Sequence, residues 1–285
     1  GAVQLGEIFA NISGRPDLQR SGLIAQLFGF FAMGRMDAAR ERARVFQRDY
    51  PGDEDFSLFV AQLEAVNGMF DSVGATGDVE RITDQLERYA APDAGTLEQR
   101  LSARWILQLL SQRNAAVAVQ TGGGNLSDST TGVQPLDVLL EADRMARSGR
   151  PQDALRLAGT IRTWEIADVV PDRFFRTVLH FLMAEWHTKL GNRQPAVEAL
   201  RWHEALDQWE RPTASPVVQE IDWAFGTLAR WKRARLLDSL QDMGGETCSA
   251  YGAVARLWGR GDPEYASRAD SARRRLQELG CITAR

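Results

Sequence analysis

Apolar residues recur along most of this chain at three- and four-residue spacing, which is the signature of helices that bury one face. Short turns containing Gly or Pro interrupt the pattern. Alternating runs of the kind strands need are almost absent. The spacing predicts helices over 3–12, 18–33, 37–49, 54–71, 78–90, 96–112, 135–147, 151–164, 171–190, 194–209, 216–242, 246–260 and 265–279. About thirteen helices and no sheet make an all-α chain.

Three of the turns follow one formula. Gly34-Arg35-Met36-Asp37-Ala38-Ala39 is matched by Gly149 through Ala154 and by Gly191 through Ala196. A glycine ends one helix in the left-handed conformation, and an alanine follows five residues later. At that spacing the alanine falls where two antiparallel helices come closest, and a larger side chain would push them apart.

On these residues the chain resembles the tetratricopeptide repeat family. Leu23, Leu27, Phe30, Gly34, Ala39 and Pro51 occupy the family's helix, turn and closing-proline positions, and Ala184, Gly191 and Ala196 do so in a later unit. His180, His187 and His203 depart from the pattern there. Gly149 and Ala154 fit at their turn without a clean closing proline. Residues 54–92 fit loosely, and 93–134 do not fit. Tyr251, Leu257, Trp258, Asp262, Pro263, Ala272, Arg274 and Leu276 look like the last pair of such regions in large bacterial signalling and regulatory proteins.

The resemblance implies a right-handed α-solenoid of antiparallel helix pairs, each pair contacting its neighbours. The first helices of the pairs would then line a groove for a peptide or another protein. In that register the groove positions are Ile24, Phe28, Phe31, Leu139, Asp143, Arg147, Phe181, Glu185, Lys189 and Arg256. Groove positions facing water are usually polar, so Phe28 and Phe31 raise an alternative in which the N-terminal helix packs into that part of the groove.

The one long polar stretch, 120–135, contains Gly122, Gly123 and Gly124 among Ser, Thr and Asn. It divides the expected array into pairs over 1–119 and pairs over 136–285. A phosphate-binding loop would need a Gly-Lys-Ser/Thr ending between a strand and a helix, and neither is present. The stretch reads as a surface excursion that can dock on a partner.

Cys248 opens the first helix of the last pair and Cys281 follows the second. In an antiparallel pair both points lie at one end, so a disulfide is geometrically open to them. A bonded pair argues for an extracytoplasmic location, and two free thiols for the cytoplasm. The chain opens at Gly1 instead of Met, as expected of a processed or partial chain.

Composition narrows the function further. The 285 residues carry a formal net charge of −4, which gives no general attraction to nucleic acid or anionic membrane. No apolar run is long enough to span a bilayer. Arginine carries nearly all the positive charge, since Lys189 and Lys232 are the only lysines. Arg230, Lys232, Arg233 and Arg235 form a small basic run that reads as a solvated helix face.

His180, His187 and His203, with Glu185 and Glu204 nearby, raise the question of a metal. Two of the histidines are about two turns apart and the spacing does not assure a third strong ligand, so packing histidines are the expectation and no metal or cofactor is. No nucleophile elbow or dinucleotide fingerprint occurs. Asp53, Glu54 and Asp55 stand where a helix start favours carboxylates. Eight tryptophans at helical spacing read mainly as core, with some available as interface anchors.

The expectation is a non-catalytic protein-interaction scaffold, an accessory subunit docking onto a larger, membrane-associated bacterial assembly. The alternative is the partner-binding or sensor region of a multidomain regulator.

Overall fold

The computed structural model describes residues 2–12, 14–71, 79–114, 134–161, 172–204, 221–241 and 244–281. They form helices α1 (Ala2–Ala10), α2 (Pro16–Ala32), α3 (Met36–Asp49), α4 (Glu54–Phe70), α5 (Val79–Ala90), α6 (Leu97–Arg113), α7 (Gln134–Arg147), α8 (Pro151–Ala158), α9 (Asp172–Lys189), α10 (Arg193–Arg201), α11 (Ile221–Ser239), α12 (Gly245–Leu257) and α13 (Pro263–Glu278). No strand occurs among the described residues. The glycine-rich part of the polar stretch, with Trp164 and Trp209, lies outside the described residues.

Local chemistry accounts for the helix ends. Proline opens α2, α8 and α13, where its missing N–H costs nothing. The Asp53 carboxylate accepts from the Phe56 amide at 3.0 Å and caps α4, as its sequence position suggests. Thr96 and Gln99 satisfy each other's backbone amides in a capping box at α6. Two helices end earlier than their apolar periodicity suggests. Helix α8 stops at Ala158, where the Thr160 hydroxyl donates to the Leu157 carbonyl at 2.7 Å. Helix α10 stops at Arg201 and tightens into a 3₁₀ turn over Trp202–Glu204.

The shared turn behaves as its residues predict. Gly34, Gly149 and Gly191 have φ of 65°, 86° and 76°, and Ala39, Ala154 and Ala196 are all buried. The three glycines nevertheless differ in what surrounds them. A Cβ added at Gly34 would stand 2.5 Å from Cγ of Tyr265, while nothing lies within 4 Å of one at Gly149 or Gly191. Alanine at Gly149 or Gly191 is therefore expected to cost about 1 kcal/mol from the backbone alone. Gly34→Ala adds about 1–2 kcal/mol of overpacking. Chemical denaturation of the three variants checks the order, and equal losses at all three would contradict it.

The helices group into two compact units by contact. One is the continuous stretch Gly52–Gly191, and the other combines Gly1–Pro51 with Asn192–Arg285. In the continuous unit, α4 packs on α5 and α6, α6 on α7, and α7 and α9 on α8. Trp105 is fully buried there, with Phe174 edge-on at 6.2 Å and Phe175 at 5.6 Å. Inside the same core Gln62 donates to the Ser102 hydroxyl, tying α4 to α6.

In the discontinuous unit α1, α3 and α11 all pack on α2, and α12 packs on α11 and α13. The Asp262 amide donates to the Gly34 carbonyl at 2.8 Å. The Asp262 carboxylate accepts from the Asp37 amide at 3.1 Å, so the start of α13 caps the first turn of α3. Contact confined to sequence neighbours, which the resemblance implies, does not hold in this unit.

Surrounded in this way, Ile24, Phe28 and Phe31 are core residues, 2%, 2% and 4% exposed, and not positions on an open groove. Helix α1 lies on the opposite side of α2, over Gly22, Gln26 and Gly29. It therefore does not cover the two phenylalanines either.

Candidate interaction site

In the continuous unit, helices α4, α6, α7 and α9 bring four residues to one point. Arg113 is the last residue of α6, and its Nη1 donates to Asp143 of α7 at 3.2 Å. Its Nη2 donates to Glu185 of α9 at 2.5 Å. The guanidinium lies 4.8 Å from the ring centre of Phe70, the last residue of α4. Phe70 in turn stacks on Phe181 of α9, 4.8 Å away. One planar cation thus joins three helices through two carboxylates and covers an aromatic on a fourth. Its fixed fork suits it to that task better than an ammonium would.

Helical spacing explains the arrangement. Phe181, Glu185 and Lys189 follow one another at four-residue steps on α9, as do Asp143 and Arg147 on α7. Three of the six groove positions that sequence places on these helices, Asp143, Phe181 and Glu185, thereby belong to the Arg113 cluster. Leu139, Asp143 and Phe181 are buried, Glu185 is half-buried, and Arg147 and Lys189 are exposed. The Lys189 ammonium lies 3.4 Å from the Ala146 carbonyl at the end of α7, where the helix dipole favours a cation. Of these expected positions, the buried ones are core and the exposed ones, Arg147 and Lys189, are positively charged.

Asp143 is 1% exposed, and burial holds its carboxyl above the ordinary carboxylate range. Arg113, the Trp186 indole and Arg147 favour the ionised form, whereas Glu185 opposes it. Burial outweighs the favourable groups. The cluster positions helices, since its carboxylates are already tied to Arg113.

The other expected residues are not members of this cluster. Arg256 is exposed on α12, in the discontinuous unit. That unit also holds His203, buried with its Nδ1 3.3 Å from the Leu200 carbonyl oxygen. Burial lowers the His187 imidazole below its usual value. Among the described residues no three His, Cys, Asp or Glu side chains come close enough to hold a metal ion. Within the basic run Arg233 is buried, 3.4 Å from Glu246, and the Arg235 guanidinium covers the Trp231 ring at 5.7 Å. The run is therefore only partly a solvated face.

The last helix pair carries its own polar anchor. Arg275 donates to both oxygens of Asp238 on α11, at 2.9 and 2.7 Å, and the Tyr251 hydroxyl donates to the same carboxylate. These bonds hold the Asp238 carboxyl below its usual value, Arg275 being the main cause. Burial pushes the Tyr251 phenol up to about 12, so it stays a neutral donor. Cys248 and Cys281 are joined, with Cα atoms 5.7 Å apart.

The chain matches no known protein family, no curated protein and no solved structure. Its tetratricopeptide likeness thus rests on its own turn and packing residues. Arg113 and Phe70 are members of the cluster that sequence reading missed. Each ends a helix, where an arginine reads as a dipole partner and a phenylalanine as ordinary core. Arg113 also falls in the stretch that fits no repeat unit.

Proposed function

We propose that the chain is a non-catalytic interaction scaffold of tetratricopeptide-like helix pairs, stacked as a right-handed solenoid, that docks onto a larger bacterial assembly. The observation that carries this reading is the Arg113 cluster. Three helices are fixed by one partly buried cation bridging Asp143 and Glu185, while Arg147 on α7 and Lys189 on α9 are exposed. Rigid placement of exposed charges on helices suits recognition of a partner's carboxylates. The bound group is a protein or peptide, and nucleic acid is not a partner. No helix among the described residues is long and apolar enough to cross a membrane, so contact with a membrane-bound complex would run through its subunits.

The bridged cysteines favour a subunit outside the cytoplasm. The second reading, the sensor region of a multidomain signalling or transcription regulator, rests on Tyr251, Trp258, Asp262 and Pro263 in the last pair. A photo-crosslinking residue at Lys189 in the native host tests the first reading, with one at Arg44 on α3 as control. One defined protein captured from Lys189 and not from Arg44, and lost in Arg147→Glu, supports it. Equal capture at both positions, or turnover of a small molecule by the purified chain, overturns it.

A further inference from the structure

Helix α1 is held on α2 by close backbone contact. A Cβ added at Gly6 would stand 2.6 Å from the Gly22 carbonyl oxygen and 2.8 Å from Cγ of Gln26. One added at Gly22 would meet the Ala10 amide nitrogen at 2.5 Å, and one at Gly29 would meet Val3 Cγ2 at 2.5 Å. The helices therefore run antiparallel, with Gly6 over Gly22 and Val3 over Gly29. Gln26 lies between those two crossings on the same stripe of α2. It is 1% exposed, and its side-chain oxygen has no hydrogen-bond partner. Small residues let two helices approach, and here an unmet acceptor is sealed between them. A buried acceptor left unmet is costly, whereas a met one is mildly favourable.

Resident α1 is thus an imperfect occupant of its own seat. It is nine residues long, below the ~12–15 residues at which isolated helices become marginal. Its stability comes from the seat, and Ile8 on its outer side is 61% exposed. We propose that the Gly22–Gln26–Gly29 face of α2 is a docking seat for a partner's amphipathic helix, with α1 as its displaceable internal occupant. The partner helix carries glycine at the crossing and, one turn away, a hydroxyl or amide donor for Gln26. A second copy of α1 would leave the same oxygen unmet, so exchange between copies gains nothing.

Two fluorescent peptides, each of roughly 17 residues so as to be helical, test this on the full chain. One carries Ala2–Ala10 unchanged, and the other carries Val3→Thr, which keeps the shape and adds a hydroxyl over Gly29, one turn of α2 from Gln26. The threonine peptide is expected to bind about fivefold tighter or better and to strip hydrogen-exchange protection from α1. In Gln26→Met chains the preference should vanish while the fold is kept. Equal binding of the two peptides, no binding of the threonine peptide at millimolar concentration, or binding with α1 still protected would overturn the proposal. A dimer in sedimentation would overturn it in favour of exchange between copies.

Discussion

Replacing Arg113 with methionine is expected to destabilise the continuous unit by about 3–5 kcal/mol, the usual result of removing one partner from a buried ion pair. Asp143 keeps its charge at 1% exposure, and Glu185, whose charge already disfavours ionised Asp143, no longer shares a cation with it. The Met side chain retains much of the packing on Phe70, so the loss isolates charge. Adding Asp143→Asn should recover most of it, because no carboxylate then needs to be buried. The pH dependence has a definite sign. Burial already raises the Asp143 pKa in the folded chain, so the folded state binds that proton more tightly than the unfolded one. Stability then falls as pH rises from the ordinary carboxylate value through the raised one. Without Arg113 the raised value climbs further, so the variant's deficit should shrink on acidification. Urea denaturation at several pH values measures it. A loss under about 1 kcal/mol, or a deficit indifferent to both acid and Asp143→Asn, would show that the cation bridge is not what holds α6, α7 and α9.

Reducing the Cys248–Cys281 bridge is the other large effect expected. The bond spans a sequence separation of 33, and the loop-entropy estimate for that length is about 3–4 kcal/mol. A loss of that size should lower the melting temperature by roughly 10 °C. Cys281 lies just past α13, so the unzipping should begin there and loosen Arg275 from Asp238. Thermal unfolding with and without reductant, together with exchange at α13 amides, checks both magnitude and place. An unchanged melting temperature would mean that α12 and α13 are held by packing and by the Asp238 anchor alone.

Much of this fold was written in local chemistry. Prolines at helix starts, glycines at the shared turn and apolar spacing located every described helix, because each signal acts within a few residues. The meeting of Cys248 and Cys281 followed from the same antiparallel logic. What local pattern could not supply was the neighbour of each face. Apart from Gln26, helix α2 is apolar all round from Gly22 to Phe31, which fits a helix enclosed on every side. Read in a repeat register, Ile24, Phe28 and Phe31 appear as a groove lining, and only their burial in a unit where α3 and α11 both pack on α2 shows them to be core. The Arg113 cluster was half legible. Spacing on α7 and α9 put Asp143 and Glu185 on one face, but their cation comes from α6, which has no repeat register to place it. The early ends of α8 and α10 were missed because apolar periodicity runs on past the turn that stops them.

The chain's first three helices and its last four make up one unit, interrupted by all of Gly52–Gly191. During synthesis on a ribosome α1–α3 leave the tunnel long before α11 exists, so Ile24, Phe28 and Phe31 must wait without their cover. The interrupting unit is continuous and can fold as soon as it has emerged. Closure of the discontinuous one depends on contacts between the two extremes of the sequence, which form slowly. A nascent chain stalled after Gly191 would display those apolar side chains to any chaperone at the exit.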